Sequence, residues 1–331
     1  MTKIDAAMRE YADWCSAIGI DTMEKLREVQ QQGRAIELIN LCEARQERKY
    51  AEIANQIYWR KDSARIVMMS GPSSSGKTSS SLRIAQQCRV LGLSPKVIEL
   101  DNYFVDRSLT PRDEQGNYDF EALECMDIPF LNGQLQALLR GERVELPRYD
   151  FIGGHRVFEG KTLKLEKGDI LFMEGIHALN PALTPGVVQD NIFKVYISAL
   201  SALPGGEKVH NSTTDKRLLR RIVRDSRTRG KSPEDTILGW PSVRRGETLH
   251  IFPYEERADV IFNSSTLYDL PVLKRYAQPL LETIPLSSEA HVKARSLIEF
   301  LSLVQPLSDE EIAAIPPTSI MREFIGGQML I

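Results

Sequence analysis

The sequence predicts an α/β protein built on a parallel sheet with helices on both faces, and three observations carry that prediction. Short apolar runs at residues 65–70, 96–100, 170–173, 193–197 and 258–262 read as buried strands. Helical stretches separate several of them, the first running from Lys77 to about Leu91, and that alternation favours a parallel sheet. The first strand is followed directly by Gly71-Pro72-Ser73-Ser74-Ser75-Gly76-Lys77-Thr78, which fits the pattern G-x-x-x-x-G-K-[ST] between a strand and a helix.

The remaining segments divide the chain in three. Residues 1–60 are rich in Ala, Glu, Gln, Leu and Arg, lack proline and show apolar positions at helical spacing, with breaks near Gly19 and Gly33. They read as a helical N-terminal extension for packing or dimerisation. Residues 61–285 form the α/β domain, with a β-hairpin over 143–165 marked by Gly153-Gly154 and Gly160. Residues 286–331 return to helix, break at Pro316-Pro317, and end in a short tail.

Composition narrows the class. The chain has 331 residues, 42% hydrophobic and 26% charged, with a formal net charge of −3. That balance suits a soluble domain with a full core and gives no overall attraction to nucleic acid or anionic membrane. Cys15, Cys42, Cys88 and Cys125 are far apart and form no C-x-x-C pair, so neither a zinc site nor a disulfide framework is expected. The first residues carry charges and no apolar core of a secretory signal, and no apolar stretch approaches the ~20 residues of a membrane helix. A cytoplasmic location is the expectation.

The glycine-rich segment carries the chemistry. Small residues let successive backbone N–H groups turn toward phosphate oxygens, and the new helix adds its positive end. Gly71, Ser73, Ser74, Ser75, Gly76, Lys77, Thr78 and Ser79 are therefore expected to hold a nucleotide triphosphate. Lys77 would reach its terminal phosphates and Thr78 would ligate Mg²⁺. The motif specifies a nucleotide and leaves the reaction open.

Ligands of an open parallel sheet collect at the carboxyl ends of its strands. Asp101 follows the second strand and could orient an acceptor hydroxyl and take its proton; Glu174 ends the third and could hold Mg²⁺. A helix opening at Ser212 carries Leu218, Leu219, Ile222 and Val223 on one face. Arg217, Arg220, Arg221 and Arg224 lie on the other, followed by Arg227, Arg229 and Lys231. Guanidinium forks match phosphate oxygens, so a lid over about 212–250 that supplies charge to the transferring group is expected.

In this order of motifs the chain resembles the uridine kinase/phosphoribulokinase family, over about residues 65–284. It is most similar to the bacterial nucleoside-kinase branch, whose longer members also carry domains similar to the amino-terminal part of threonyl-tRNA synthetase. Residues 1–60 are not expected to form such domains, and no tRNA-linked role is expected. The resemblance implies a P-loop fold, ATP or GTP with Mg²⁺ as co-substrate, and a nucleoside, uridine first, as acceptor. It implies self-association, no nucleic-acid partner, and a base role for Asp101 within Asp101-Asn102-Tyr103-Phe104. It further implies acceptor contacts from Tyr103, from Phe120 and Glu121, from the Tyr149-Asp150-Phe151 segment, from His155 and from Arg217. Arg217, Arg221, Arg224 and Arg229 would form the lid.

Departures from that pattern bear on the acceptor. Gly153-Gly154 displaces His155 by one position, Glu121 stands where the family has aspartate, and residues 240–256 differ. A kinase of another hydroxyl compound, with Arg148, Arg156, Arg244 and Arg245 serving a second anionic group, therefore stays open. So does a nucleotide switch that binds nucleic acid. His177, His210, His250 and His291 read as structural or surface residues.

Overall fold

A computed structural model describes the chain except for residues 113–115, 117, 202, 204–211 and 331. His210 lies outside the described residues. The core element is β1 (Ile66–Ser70), all five residues of which are buried. Its side chains alternate between two hydrophobic layers, as strand geometry requires. Val67 and Met69 join one cluster, Ile66 and Met68 the other. Around it lie β2 (Ser94–Glu99), β5 (Asp169–Glu174), β6 (Ile192–Ser198) and β7 (Val260–Asn263), in the order β2-β5-β1-β6-β7, every pair parallel. The chain leaves β1 for β2 on one side and reaches β6 on the other, so a topological switch point lies at β1. A separate antiparallel hairpin, β3 (Val144–Asp150) and β4 (His155–Leu163), occupies the expected 143–165 region.

The helices follow in chain order. They are α1 (Lys3–Ala17), α2 (Met23–Gln31), α3 (Ala35–Trp59), α4 (Lys77–Val90) and α5 (Ile128–Leu139). Next come α6 (Ser212–Thr228), α7 (Pro233–Leu238) and α8 (Trp240–His250), then α9 (Asp269–Glu282), α10 (His291–Leu301), α11 (Asp309–Ala313) and α12 (Ile320–Ile325). The breaks at Gly19 and Gly33 are real: both adopt positive φ, 75° and 71°.

The terminal segments are not appendages. Along α3 the buried positions include Leu38, Ile39, Cys42, Tyr50, Ile53 and Ile57, which share one face of the helix, and they enter the same cluster as Val67, Phe193 and Phe262. Tyr50 packs on Phe262 of β7 with ring centroids 4.9 Å apart. From the other end of the chain, Phe300, Met321 and Phe324 are fully buried in that cluster. The charged remainder of each helix conceals this in composition, because only one face in three or four residues is apolar. No helix among the described residues is long and apolar enough to cross a membrane.

If α3 is part of this core, Ile57→Ala will cost about 2–5 kcal/mol in urea unfolding, the usual range for such a buried truncation. A loss below about 1 kcal/mol would show that α3 rests loosely on the sheet.

Candidate active site

The glycine-rich loop is shaped by what its backbone must avoid. A Cβ on Gly71 would run into the carbonyl oxygen of Ile197 in β6, so this position admits only glycine. Ser74 has φ of 59° and Gly76 of 85°, a succession that turns backbone N–H groups inward into an anion-binding concavity. The hydroxyl oxygens of Ser74 and Ser75 are buried with no hydrogen-bond partner, as expected of a cradle built for polar atoms of a ligand. Lys77 opens α4, and its Nζ donates to the carbonyl of Pro72 at 3.3 Å.

Two of the expected phosphate ligands are engaged elsewhere. The Ser73 N–H donates to Glu247 Oε1 at 3.1 Å, and its Oγ accepts from Arg221 at 2.6 Å. Ser79 is fully buried, and its hydroxyl and amide both donate to Glu323 of α12. Neither glutamate could be paired with its serine from sequence, since they stand 174 and 244 residues away.

Strand register brings the two acids to the loop. Glu99 and Met69 both pair with Glu174, which puts the ends of β2, β5 and β1 side by side. Thr78 Oγ1 donates to Glu174 Oε1 at 2.8 Å, so hydroxyl and carboxylate already meet at one point. Burial pushes the Glu174 carboxyl up to about 7, with Asp101 and Glu99 adding to the rise and Lys77 and Thr78 opposing it. This oxygen pair suits a hard divalent cation such as Mg²⁺, which would arrive with the nucleotide. Asp101 sits in the short turn after β2 (Leu100–Tyr103). Burial raises its carboxyl, against the charges of Lys77, Arg229 and Arg224. Its neighbour Asn102 accepts the Tyr149 N–H at 3.0 Å, fixing the turn to the hairpin.

The arginine helix divides in a way the sequence reading did not anticipate. Arg217 and Arg220 are buried rather than displayed on a polar face. Arg217 makes a two-pronged pair with Glu247, and its Nη1 also donates to the Ser73 carbonyl at 3.0 Å. Arg220 pairs with Asp269 at 2.7 Å and donates to the Ser264 carbonyl at 3.0 Å. These two brace the fold, so the expected contact of Arg217 with the acceptor is not what the structure presents. Arg221, Arg224 and Arg229 instead gather on the buried carboxylate of Asp225. Of these, Arg224 and Arg229 act on Asp101, and Arg221 acts on Glu121.

Between residues 118–121 and the lid helices lies a cavity of about 540 Å³, lined by Tyr118, Phe120, Glu121, Arg221, Lys231 and Arg245 among others. Glu121 Oε2 is buried without a partner, and burial pushes the carboxyl up to about 7 despite Arg221. Phe120 and Glu121 both line this cavity. The other expected acceptor residues do not line this cavity. Tyr103 is a core residue whose hydroxyl bonds Gln134 at 2.8 Å. Tyr149 packs edge-on against Phe104 and Phe151, while Phe151 and His155 are exposed on the hairpin. Sequence reasoning missed Tyr118, Asp225 and Glu247. Both acids carried a signal: Asp225 stands four residues from Arg221 and from Arg229, and Glu247 three residues after Arg244.

Two predictions follow from this geometry. Gly71→Ala will displace the loop and weaken ADP binding at least about tenfold by calorimetry, since a Cβ there meets backbone and not a side chain that can swing away. Glu121 keeps its proton in the folded protein up to about pH 7, whereas the unfolded chain releases it near pH 4.5. Its contribution is therefore full below pH 4.5 and is lost as pH rises through 7. The melting temperature of Glu121→Gln should fall less than the wild type's between pH 5 and 8; parallel curves would contradict the assignment.

The model of the Phosphoribulokinase / Uridine kinase family matches residues 66–271, more than half of the chain. A uridine kinase from Deinococcus deserti is 29% identical over 197 residues, spanning 59% of this chain and 86% of that one. One from Halobacterium salinarum is 28% identical over 194 residues, 58% and 77% of the two chains. The structure of a possible uridine kinase from Bacillus stearothermophilus aligns with a TM-score of 0.43 at 21% identity, over 65% of this chain and 98% of that one. The protein belongs to the phosphoribulokinase/uridine kinase family of P-loop kinases, a family of phosphotransferases.

Proposed function

We propose that the protein transfers the γ-phosphoryl group of ATP or GTP to the 5′-hydroxyl of a nucleoside, uridine first. The observation that carries this reading is Asp101, a half-buried carboxylate in the turn after β2, on which the charges of Lys77, Arg224 and Arg229 act. The relatives named uridine kinase support the choice of acceptor.

The loop amides and Lys77 hold the triphosphate, and Thr78 and Glu174 would hold its Mg²⁺. When bound, that ion neutralises charge on the phosphate oxygens. Asp101 orients the acceptor hydroxyl and takes its proton as the new O–P bond forms and the bond to the β-phosphate oxygen breaks. Arg224 and Arg229, and Arg221 through the loop, offset charge spread over the transferring group. Phe120 offers a face to a base or sugar, and the unpartnered Glu121 oxygen can accept a hydrogen bond from an acceptor hydroxyl.

A second reading has its own observation. Arg221, Lys231 and Arg245 all line the cavity, which favours an acceptor that carries an acidic group, such as a sugar phosphate. ADP release with Mg-ATP across uridine, cytidine, purine nucleosides, ribulose 5-phosphate and pantothenate separates the two. Release with a nucleoside alone supports the first reading, and release with an anionic acceptor alone replaces it. With the correct acceptor, Asp101→Asn should retain nucleotide binding and lose about 10²–10⁴ of turnover. Near-normal turnover in that variant would remove the base role.

A further inference from the structure

A phosphate loop closes one end of a helix with a residue that cannot cap it. Helix α4 begins at Lys77, its cap position is Gly76, and Gly76 makes no side-chain cap bond. An ordinary N-cap side chain would accept the amide of the third helical residue, which here is Ser79. The loop cannot use such a residue, because Gly76 sits at φ of 85° and its Cα faces Ile320 Cγ2 too closely for any Cβ.

The acceptor comes instead from the far end of the chain. Glu323 Oε2 accepts the Ser79 N–H at 3.4 Å and the Ser79 hydroxyl at 2.5 Å, and Gln328 Nε2 donates to the same hydroxyl at 2.7 Å. The segment that presents Glu323 is fastened independently. Arg83 of α4 donates to the Thr318 carbonyl at 2.9 Å. Tyr268 and Ser319 share a bond at 2.9 Å. Arg227 at the end of α6 donates to the carbonyls of Phe324 and Glu323, each at 3.0 Å. Ile320, Met321 and Phe324 are buried beneath.

We propose that Glu323 is a positioning residue for nucleotide binding: it caps α4 from residue 323 and holds the first turn of the helix, and with it the end of the loop that precedes it, in place. Through Arg227 the same segment sets α6 relative to the loop. The inference rests on the loop as the nucleotide site and not on the identity of the acceptor.

The test is ADP binding to the full chain by calorimetry with no acceptor present, so that a wrong acceptor leaves the result standing. Glu323→Ala should weaken ADP about tenfold, the range of a lost helix cap. Glu323→Gln, which keeps an oxygen for Ser79, should restore most of that affinity. Ser79→Ala removes the hydroxyl and leaves the apolar seat of α12 intact, and it should weaken ADP severalfold even if Glu323→Ala does not fold. Unchanged affinity in Ser79→Ala, or an equal loss in Glu323→Gln and Glu323→Ala, overturns the proposal.

Discussion

The fold depends on holding a loop of nearly bare backbone in one conformation. Residues 71–76 have little side chain with which to fix themselves, and Ser74 and Gly76 occupy conformations that most residues avoid. Rigidity must come from outside. On one side Gly71 lies against the Ile197 carbonyl. On another the buried Arg217–Glu247 pair grips both the amide and the carbonyl of Ser73. A buried ion pair is weak evidence for stability, since desolvation offsets much of its attraction. It is a strong constraint on geometry, because either charge left alone in the interior would cost several kcal/mol. The loop, α6 and α8 are thereby one unit.

Electrostatics around the loop follow from the same enclosure. Asp101 and Glu174 follow neighbouring strands; burial raises both carboxyls, Asp101 adds to the rise at Glu174, and Lys77 lowers both. A site that must accept a polyanion thus contains two acids balanced by Lys77, Arg224 and Arg229. The chain's net charge of −3 says nothing of this, since the cations are gathered on one helix and one loop. Arg224 and Arg229 are in turn moored to Asp225, which places them without spending them in a full salt bridge each.

Much of this was legible in the sequence, and the reasons for the rest are specific. The five strands lie on the apolar runs, three of which end at glycine or acid, with boundaries shifted by a residue or two: the expected 258–262 is Val260–Asn263. Asp101 and Glu174 were placed by chain topology, which needs no knowledge of side-chain partners. Arg217 and Arg220 were misread because a run of arginine on one helical face looks solvated until Glu247 and Asp269, 30 and 49 residues away, are brought to it. The terminal helices looked separate because composition averages over a helix, while packing uses one stripe of it. Tyr103 stands two residues after the acid but three after Leu100 in a 3-10 turn, whose i and i+3 side chains share one side, and both enter the second core. Glu323 of α12 acquires a physical meaning only when its partner Ser79 is in view.

The central claim is phosphoryl transfer to a 5′-hydroxyl at Asp101. Phosphorus NMR of the product formed from Mg-ATP and uridine tests it most directly. The account predicts a monophosphate resonance coupled to the 5′-methylene protons, formed in step with ADP. Inorganic phosphate as the sole new product, or a phosphoryl group on another acceptor supplied in competition, would contradict it.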